Sequence, residues 1–111
     1  MTVDNKILSL TLYWQPQTNL QTDYTTFLHL RNSANETIAQ KDGPPAAGRY
    51  PTSLWDPGEI VVDEITLSLE QIPPGQFTPV VGLYNFATGA RLQTPGLPAN
   101  EIALESFEVK E

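Results

Sequence analysis

The sequence contains no cysteine and a single histidine among its 111 residues. The lack of cysteine excludes disulfides, thiol chemistry and thiolate zinc sites, although it does not fix the cellular compartment. His29 would have to belong to any Ser-His-Asp triad, and no G-x-S-x-G motif presents a serine nucleophile. The composition therefore argues against nucleophilic hydrolysis and against transition-metal sites.

Basic residues are few, and long apolar runs are absent. Six Lys and Arg stand against thirteen Asp and Glu, which gives a formal charge of −7 and a pI of about 4.5. Such a surface repels phosphate backbones and anionic lipid headgroups. The longest apolar runs, such as residues 80–84, fall far short of the ~20 residues that cross a bilayer. We expect a soluble segment with no nucleic-acid partner and no direct membrane insertion.

The acidic residues form no recognisable catalytic pair. Asp63 and Glu64 are neighbours on a predicted strand, so their side chains point to opposite faces and cannot flank one sugar. Asp42, Asp56 and Glu59 could bind calcium together with loop carbonyls, although no D-x-D-x-D-G spacing supports it. We predict no catalytic residue, no cofactor and no assigned metal ligand, with calcium left as an open alternative.

Turn residues and alternating apolar residues dominate the chain. Ten prolines and seven glycines leave few stretches long enough for a helix, and the apolar period is that of half-buried strands. Strands are predicted at residues 6–14, 23–32, 37–41, 59–69 and 76–86, with a short return strand at 91–92 and a final one at 101–110. About seven short strands predict a single all-β domain over residues 1–111, an antiparallel β-sandwich of Ig-like or jelly-roll topology.

The final predicted strand changes phase along its length. Ile102 and Leu104 suit one register, whereas Phe107 and Val109 suit the other. A bulge near residues 105–106 would reconcile the two halves.

The segment RYPTSLWDPGE, residues 49–59, is the least regular part of the chain. Its Asp-Pro-Gly sequence is typical of a tight turn in which Gly58 adopts left-handed backbone. Tyr50 and Trp55 flank the polar pair at 52–53, an arrangement that sugar-binding sandwiches use for ring stacking. Alternatively, Trp55 folds back and caps one end of the core.

Asp63 is in phase with Val61 and Ile65 and is therefore predicted to face the core. A buried carboxylate must be paired or hydrogen-bonded, and Arg49 is the candidate partner. In one interpretation, the pair anchors the long loop at residues 42–58, or Asp63 lies at a sheet rim in water. In the other, Arg49, Tyr50, Trp55 and Asp63 line a ligand site.

A second candidate surface carries Phe27, His29 and Tyr84. Phe27 and His29 share one face of the second predicted strand, opposite to Leu28 and Leu30. This face is either an outer sheet face in water or one that a partner domain covers.

Four strings carry a family resemblance: LTLYWQ at residues 10–15, DYTTFLHL at 23–30, QKDGPPAAGRYPTSLWDPGEIVVDE at 40–64 and VVGLYNFATGARL at 80–92. Together they resemble a soluble bacterial domain that follows the multi-spanning region of membrane glycosyltransferase-like proteins. Those proteins are of the dolichyl-phosphate-mannose protein mannosyltransferase type. The resemblance extends from residue 10 to about residue 104.

The resemblance implies a non-catalytic, extracytoplasmic β-sandwich excised from a longer membrane protein. It supplies no catalytic residue, because the chemistry of that family lies in its membrane part. Members of that family usually carry another strand just before the first one predicted here. The positions that match the family's motif, without an assigned role, are Arg49, Trp55, Gly58, Glu59 and Asp63.

Two functional hypotheses follow. The first is an accessory module that binds carbohydrate or a lipid-linked sugar, and an exposed Trp55 beside Tyr50 would favour it. The second is a structural or interaction domain that docks on the membrane part of its parent protein, and a Trp55 buried among leucines would favour it. Catalysis would require His29 within hydrogen-bond reach of a hydroxyl and a carboxylate.

Overall fold

Two antiparallel sheets face each other across a core of leucine, valine and phenylalanine. The computed structural model describes residues 1–4, 6–94 and 96–110. The strands are β1 (Thr2–Asp4), β2 (Ile7–Trp14), β3 (Thr25–Asn32), β4 (Thr37–Gly43), β5 (Val61–Ser68), β6 (Gly75–Tyr84), β7 (Ile102–Ala103) and β8 (Phe107–Val109). Over these described ranges there is no α-helix, and so no helix long and apolar enough to cross a membrane.

The strand order defines the type of sandwich. Sheet A has the order β1-β2-β5, and sheet B has the order β4-β3-β6, with β7 and β8 both pairing with the outer edge of β6. In immunoglobulin nomenclature, sheet A contains strands A, B and E, and sheet B contains C′, C, F and G. The predicted all-β antiparallel sandwich is confirmed. Of the two predicted topologies, Ig-like and jelly-roll, the strand order matches the Ig-like one.

The core forms because alternate residues of each strand point inward. β2 contributes Leu8, Leu10 and Leu12 from sheet A, and they pack against residues of sheet B that are also buried. Those partners are Leu28, Leu30, Phe77 and Val81. Trp55, Val61 and Leu83 form a second buried cluster at one end of the sandwich, and Trp14 packs against both clusters.

Strand boundaries differ from the predicted ones at the two ends of the chain. The predicted strand 6–14 begins at Ile7, because Lys6 has left-handed backbone with φ 58°. β1 was not predicted, since three residues are too few to show an alternating pattern. The predicted return strand at 91–92 is reduced to one bridge between Tyr84 and Arg91.

The phase change in the last predicted strand is confirmed by the register of its two halves. β7 pairs Ala103 with Val80, whereas β8 pairs Val109 with Gly75, so the residue numbers of paired positions sum to 183 and then to 184. One extra residue has therefore been inserted between the two short strands, which leaves the edge of sheet B interrupted there.

Candidate functional site

Asp63 lies between the two sheets and is 2% exposed. Its Oδ2 accepts hydrogen bonds from the indole Nε1 of Trp14 at 3.2 Å and from the hydroxyl of Thr26 at 3.0 Å. Its Oδ1 accepts a bond from the backbone N–H of Ala46 at 3.0 Å. Three neutral donors therefore satisfy this buried carboxylate, as burial of a charge requires.

The β2–β5 register explains the contact with Trp14. Asp63 stands directly opposite Leu12, so Trp14, two residues further along β2, is its diagonal neighbour on the same face. Thr26 reaches the same carboxylate from sheet B, and Ala46 reaches it from the turn Pro45–Gly48. The side chain thus joins both sheets and the long loop.

The predicted ion pair between Arg49 and Asp63 is wrong. Arg49 is exposed, and the ion pairs of the described residues both involve Glu101 instead. The prediction that Asp63 anchors the long loop is correct, but the bond that does so comes from a backbone amide. Sequence alone did not reveal this partner because a turn amide carries no residue-type signal.

Trp55 is also buried, with 2% exposure. Its ring packs with Val61 and Leu83, and its Nε1 donates to the carbonyl of Tyr50 at 2.9 Å. The ring is therefore not available on the surface to stack on a sugar. It caps the end of the core, which is the alternative that favours a structural or interaction domain.

The remainder of RYPTSLWDPGE is held by hydrogen bonds. The buried hydroxyl of Thr52 donates to the carbonyl of Thr22 at 2.7 Å and accepts from the N–H of Tyr24 at 2.9 Å. The backbone N–H of Ser53 donates to Asp23 Oδ1 at 3.0 Å, and a hydrogen bond from the Ser53 side chain, followed by this backbone bond, lowers the pKa of Asp23. This segment is a rigid plug fastened to the chain that precedes β3.

Tyr50 and Glu59, near the two ends of the plug, are joined by a hydrogen bond. The Tyr50 hydroxyl donates to Glu59 Oε1 at 2.7 Å, which raises the pKa of Tyr50 to about 12. The same Oε1 accepts from the N–H of Asp56 at 2.9 Å, and this bond, followed by the one from Tyr50, lowers the pKa of Glu59. Gly58 has φ 83°, which confirms the left-handed position predicted for the Asp-Pro-Gly turn.

The three residues of the second candidate surface lie together on the outer face of sheet B. The ring centroid of Phe27 is 4.8 Å from that of His29 and 6.2 Å from that of Tyr84. Phe27 is only 2% exposed, because the guanidinium of Arg91 lies 4.5 Å above its ring and Gly82 leaves no side chain beneath it. The predicted water-exposed face is therefore wrong at Phe27, which the chain itself covers.

Glu101 holds Arg91 in place over the ring of Phe27. Its carboxylate accepts hydrogen bonds from Arg31 on β3 and from Arg91 Nη1, the latter at 2.7 Å. Arg91 Nη1 also donates to the carbonyl of Ala99 at 3.0 Å. The bond from Arg31 is the main cause that holds the pKa of Glu101 below its ordinary value. Arg91, Ala99 and Glu101 are thereby held together across the outer face.

His29 lies beside this network with its Nδ1 buried and without a hydrogen-bond partner among the residues that the structure describes. Burial lowers the pKa of His29, nearby Arg31 and Arg91 lower it further, and the carboxylates of Asp42 and Glu101 oppose the change. The Tyr84 hydroxyl donates to Asp42 Oδ2 at 2.9 Å rather than to the imidazole. His29 thus packs among aromatic rings and charged groups, with a pKa below its ordinary value.

A groove of about 450 Å³ opens between the two sheets at the end of β2. Its floor is apolar and includes Trp14, Trp55, Leu83, Leu92 and Ile102, and its rim carries glutamine and threonine side chains together with Tyr13. None of the described residues that line it is charged. No local pattern in the sequence marks this groove, because its walls come from five separate parts of the chain.

Potential metal ligands stay apart in the part of the chain that the structure describes. No group of three or more His, Asp or Glu side chains comes together there. Of the residues considered for calcium, Glu59 accepts hydrogen bonds from Tyr50 and from the N–H of Asp56. Asp42 lies on β4 in sheet B and accepts a hydrogen bond from Tyr84 of the same sheet.

Fold and site together define an Ig-like β-sandwich with one plugged end and one open groove. No protein-family model, curated protein or solved structure matches this chain. The resemblance to glycosyltransferase-associated domains therefore stays a prediction, supported by the four residue strings.

Replacing Asp63 tests its role in joining the two sheets and the long loop. In Asp63→Asn, an amide group replaces one acceptor and faces a buried donor, so we expect the free energy of unfolding to fall by about 1–3 kcal/mol. Urea unfolding measures this change. The control Arg49→Gln alters an exposed side chain and should stay within about 0.5 kcal/mol of the parent. A loss in the control equal to that in Asp63→Asn would contradict the assignment.

The position of His29 makes stability depend on pH. Its pKa is lower in the folded chain than the ordinary 6.5, so the unfolded chain binds the proton first. Stability should therefore be complete above pH 6.5 and should decrease as the pH falls below that value. Unfolding measured between pH 7.5 and about 5 keeps Glu101 ionised, since its pKa lies below 4.5. His29→Gln should flatten the slope, and an unchanged slope would refute this origin.

Proposed function

We propose that this chain is a non-catalytic accessory domain that docks a polypeptide in the groove at the end of β2. The observation that carries the proposal is the uncharged groove with an apolar floor, open beside Trp14. Its volume of about 450 Å³ is within the range of specific binding pockets.

The plug is the reason to favour a polypeptide over a sugar. Surface aromatic rings carry sugar recognition, and the aromatic ring that the sequence singled out, Trp55, is buried. Apolar side chains of a partner could instead contact Leu83, Leu92 and Ile102 and remove them from water. Burial of apolar area contributes roughly 25 cal/mol per Å², which is the main driving force for such docking.

A neutral saccharide, free or lipid-linked, is the second candidate ligand. The observation in its favour is the rim of the groove, which Tyr13, Gln93 and Thr94 all line. Tyr13 is 68% exposed, so one face of its ring is free for stacking. Amide and hydroxyl groups beside such a ring suit sugar hydroxyls.

Titration followed by two-dimensional amide NMR distinguishes these ligands. We expect peptides with alternating apolar residues, but not neutral oligosaccharides at millimolar concentration, to shift the amides of Leu92, Gln93 and Ile102. Gln93→Trp should fill the groove and weaken peptide binding at least about tenfold.

The matched control for this experiment is Gln71→Trp, an equally exposed glutamine in the turn between β5 and β6. It should bind the peptides as the parent chain does. Shifts at the groove with oligosaccharides alone would replace the first candidate by the second. Absence of shifts with either ligand would refute both.

We further propose that the domain works outside the cytoplasm as part of a membrane glycosyltransferase-like protein. The resemblance of the four sequence strings supports this placement. The absence of cysteine offers a test, because Phe86→Cys at a 78% exposed position would be the only thiol of the domain. A membrane-impermeant maleimide should label it in intact cells, and labelling only after lysis would contradict the placement.

A further inference from the structure

His29 is the middle member of a row of outward-facing side chains on β3. Phe27 precedes it by two residues and Arg31 follows it by two, so all three project from the same face of sheet B. The ring centroids of Phe27 and His29 are 4.8 Å apart. The register places Gln40 of β4 and Val80 of β6 directly beside His29, and neither residue is charged. Charges that act on this imidazole therefore come from residues further along the sheet or above it.

The carboxylate of Glu101 joins two cations that flank His29. It accepts hydrogen bonds from Arg31, and from Arg91 Nη1 at 2.7 Å. The guanidinium of Arg91 lies 4.5 Å from the centre of the Phe27 ring, which is 2% exposed. Together the contacts of Glu101 with Arg31 and Arg91 form what we term the outer-face latch. The latch holds one cation over Phe27, on one side of the imidazole, and ties it to a second cation on the other side.

The closed latch leaves one nitrogen of His29 without a partner. Nδ1 is buried and has no hydrogen-bond partner among the described residues. A neutral imidazole can carry its proton on Nε2, whereas an imidazolium carries an N–H donor on both nitrogens. The two carboxylates that act on His29 already accept other bonds, Glu101 those of the latch and Asp42 one from Tyr84. Protonation would therefore create a buried, charged donor for which the described residues offer no acceptor.

Opening of the latch would make His29 easier to protonate. Burial of the ring is the largest influence on the pKa of His29 and lowers it. The neighbouring cations Arg31 and Arg91 lower this pKa further, and the carboxylates of Asp42 and Glu101 oppose the change. An open latch would admit water to Nδ1 and move Arg91 away, and both changes favour the proton. By linkage, a proton on His29 must in turn favour the open latch.

We propose that the outer-face latch opens in acid, when a proton on His29 frees Arg91 and uncovers the ring of Phe27. The latch is thus a pH-sensitive switch built into the outer face of sheet B. None of its residues lines the groove, so the switch goes beyond the proposed function and does not depend on it.

The open state would enlarge an aromatic surface that is already partly exposed. The ring centroid of Tyr84 is 6.2 Å from that of Phe27 and 6.5 Å from that of Phe86. Phe86 is 78% exposed, whereas Phe27 is 2% exposed beneath Arg91. Release of Arg91 would therefore join the ring of Phe27 to those of Tyr84 and Phe86 at the surface.

Two-dimensional NMR of the whole chain between pH 7.5 and 5 follows His29 and the latch together. Glu101 stays ionised over this range, because its pKa lies below the ordinary 4.5. The NOE cross-peaks between the Arg91 side chain and the Phe27 ring should lose about half of their intensity or more, with the midpoint of the His29 titration. In His29→Gln, which gains no proton in this range, these cross-peaks should stay constant. Cross-peaks within the leucine core should stay constant in both chains.

Two variants that each remove one negative charge facing His29 separate a latch from a simple effect of charge. Asp42→Asn leaves the latch intact, so the loss of a carboxylate should lower the pKa of His29. Glu101→Ala also removes a carboxylate, but it opens the latch, so the pKa of His29 should rise toward the ordinary 6.5. Shifts of opposite sign from the same change of charge would identify the switch.

Three results would overturn the inference. A lower pKa of His29 in both variants would show that the imidazole responds to charge alone. Constant cross-peaks between Arg91 and Phe27 over the whole pH range would show that the latch stays closed, and this measurement needs no variant. Loss of the core cross-peaks with the same midpoint would show that acid unfolds the whole domain, which contradicts a local switch.

Discussion

The rest of the structure depends on the buried carboxylate of Asp63. It joins β5 to Trp14 in its own sheet, to Thr26 in the opposite sheet and to Ala46 in the long loop. A carboxylate without these donors would be far too costly to bury, so the three contacts must form together. The bond to Ala46 also holds left-handed backbone at Ala46 and Ala47, with φ 53° and 55°, a conformation that non-glycine residues avoid.

These contacts of Asp63 determine which end of the sandwich is closed. With Pro45–Gly48 fixed to β5, the following residues lead Trp55 back over Val61 and Leu83. The plug closes the core from the loop side, and Asp63 holds Trp14 by its indole nitrogen beside the same cluster. The groove is what remains open between Trp14 and Ile102, so the position of the candidate site follows from the carboxylate.

Much of the fold could be predicted from local pattern. Alternation placed five strands within about two residues of their ends, and the phase of Val61 and Ile65 placed Asp63 in the core. The change of phase between Leu104 and Phe107 revealed the register shift. These features are encoded by neighbours in sequence, which is why the sequence reports them.

The candidate site was less predictable because its contacts are distant in sequence. Asp63 accepts a hydrogen bond from a backbone amide seventeen positions away. Because every residue type except proline carries such an amide, the sequence does not indicate this partner. Phe27 looked exposed by strand phase, and only the ion pairs of Glu101 with Arg31 and Arg91 bring the covering segment over it. The groove is lined by residues from five separate parts of the chain, a combination that local sequence pattern does not mark.

The most direct test of the central role of Asp63 is the exchange rate of the Ala46 amide. This amide lies in a surface turn outside any strand ladder, where amides ordinarily exchange through small local openings. If the carboxylate joins sheets and loop as described, Ala46 should exchange as slowly as Leu28 in the core, only on global unfolding. Exchange as fast as that of the neighbouring Gly48 would show that the loop opens independently and would contradict the central claim.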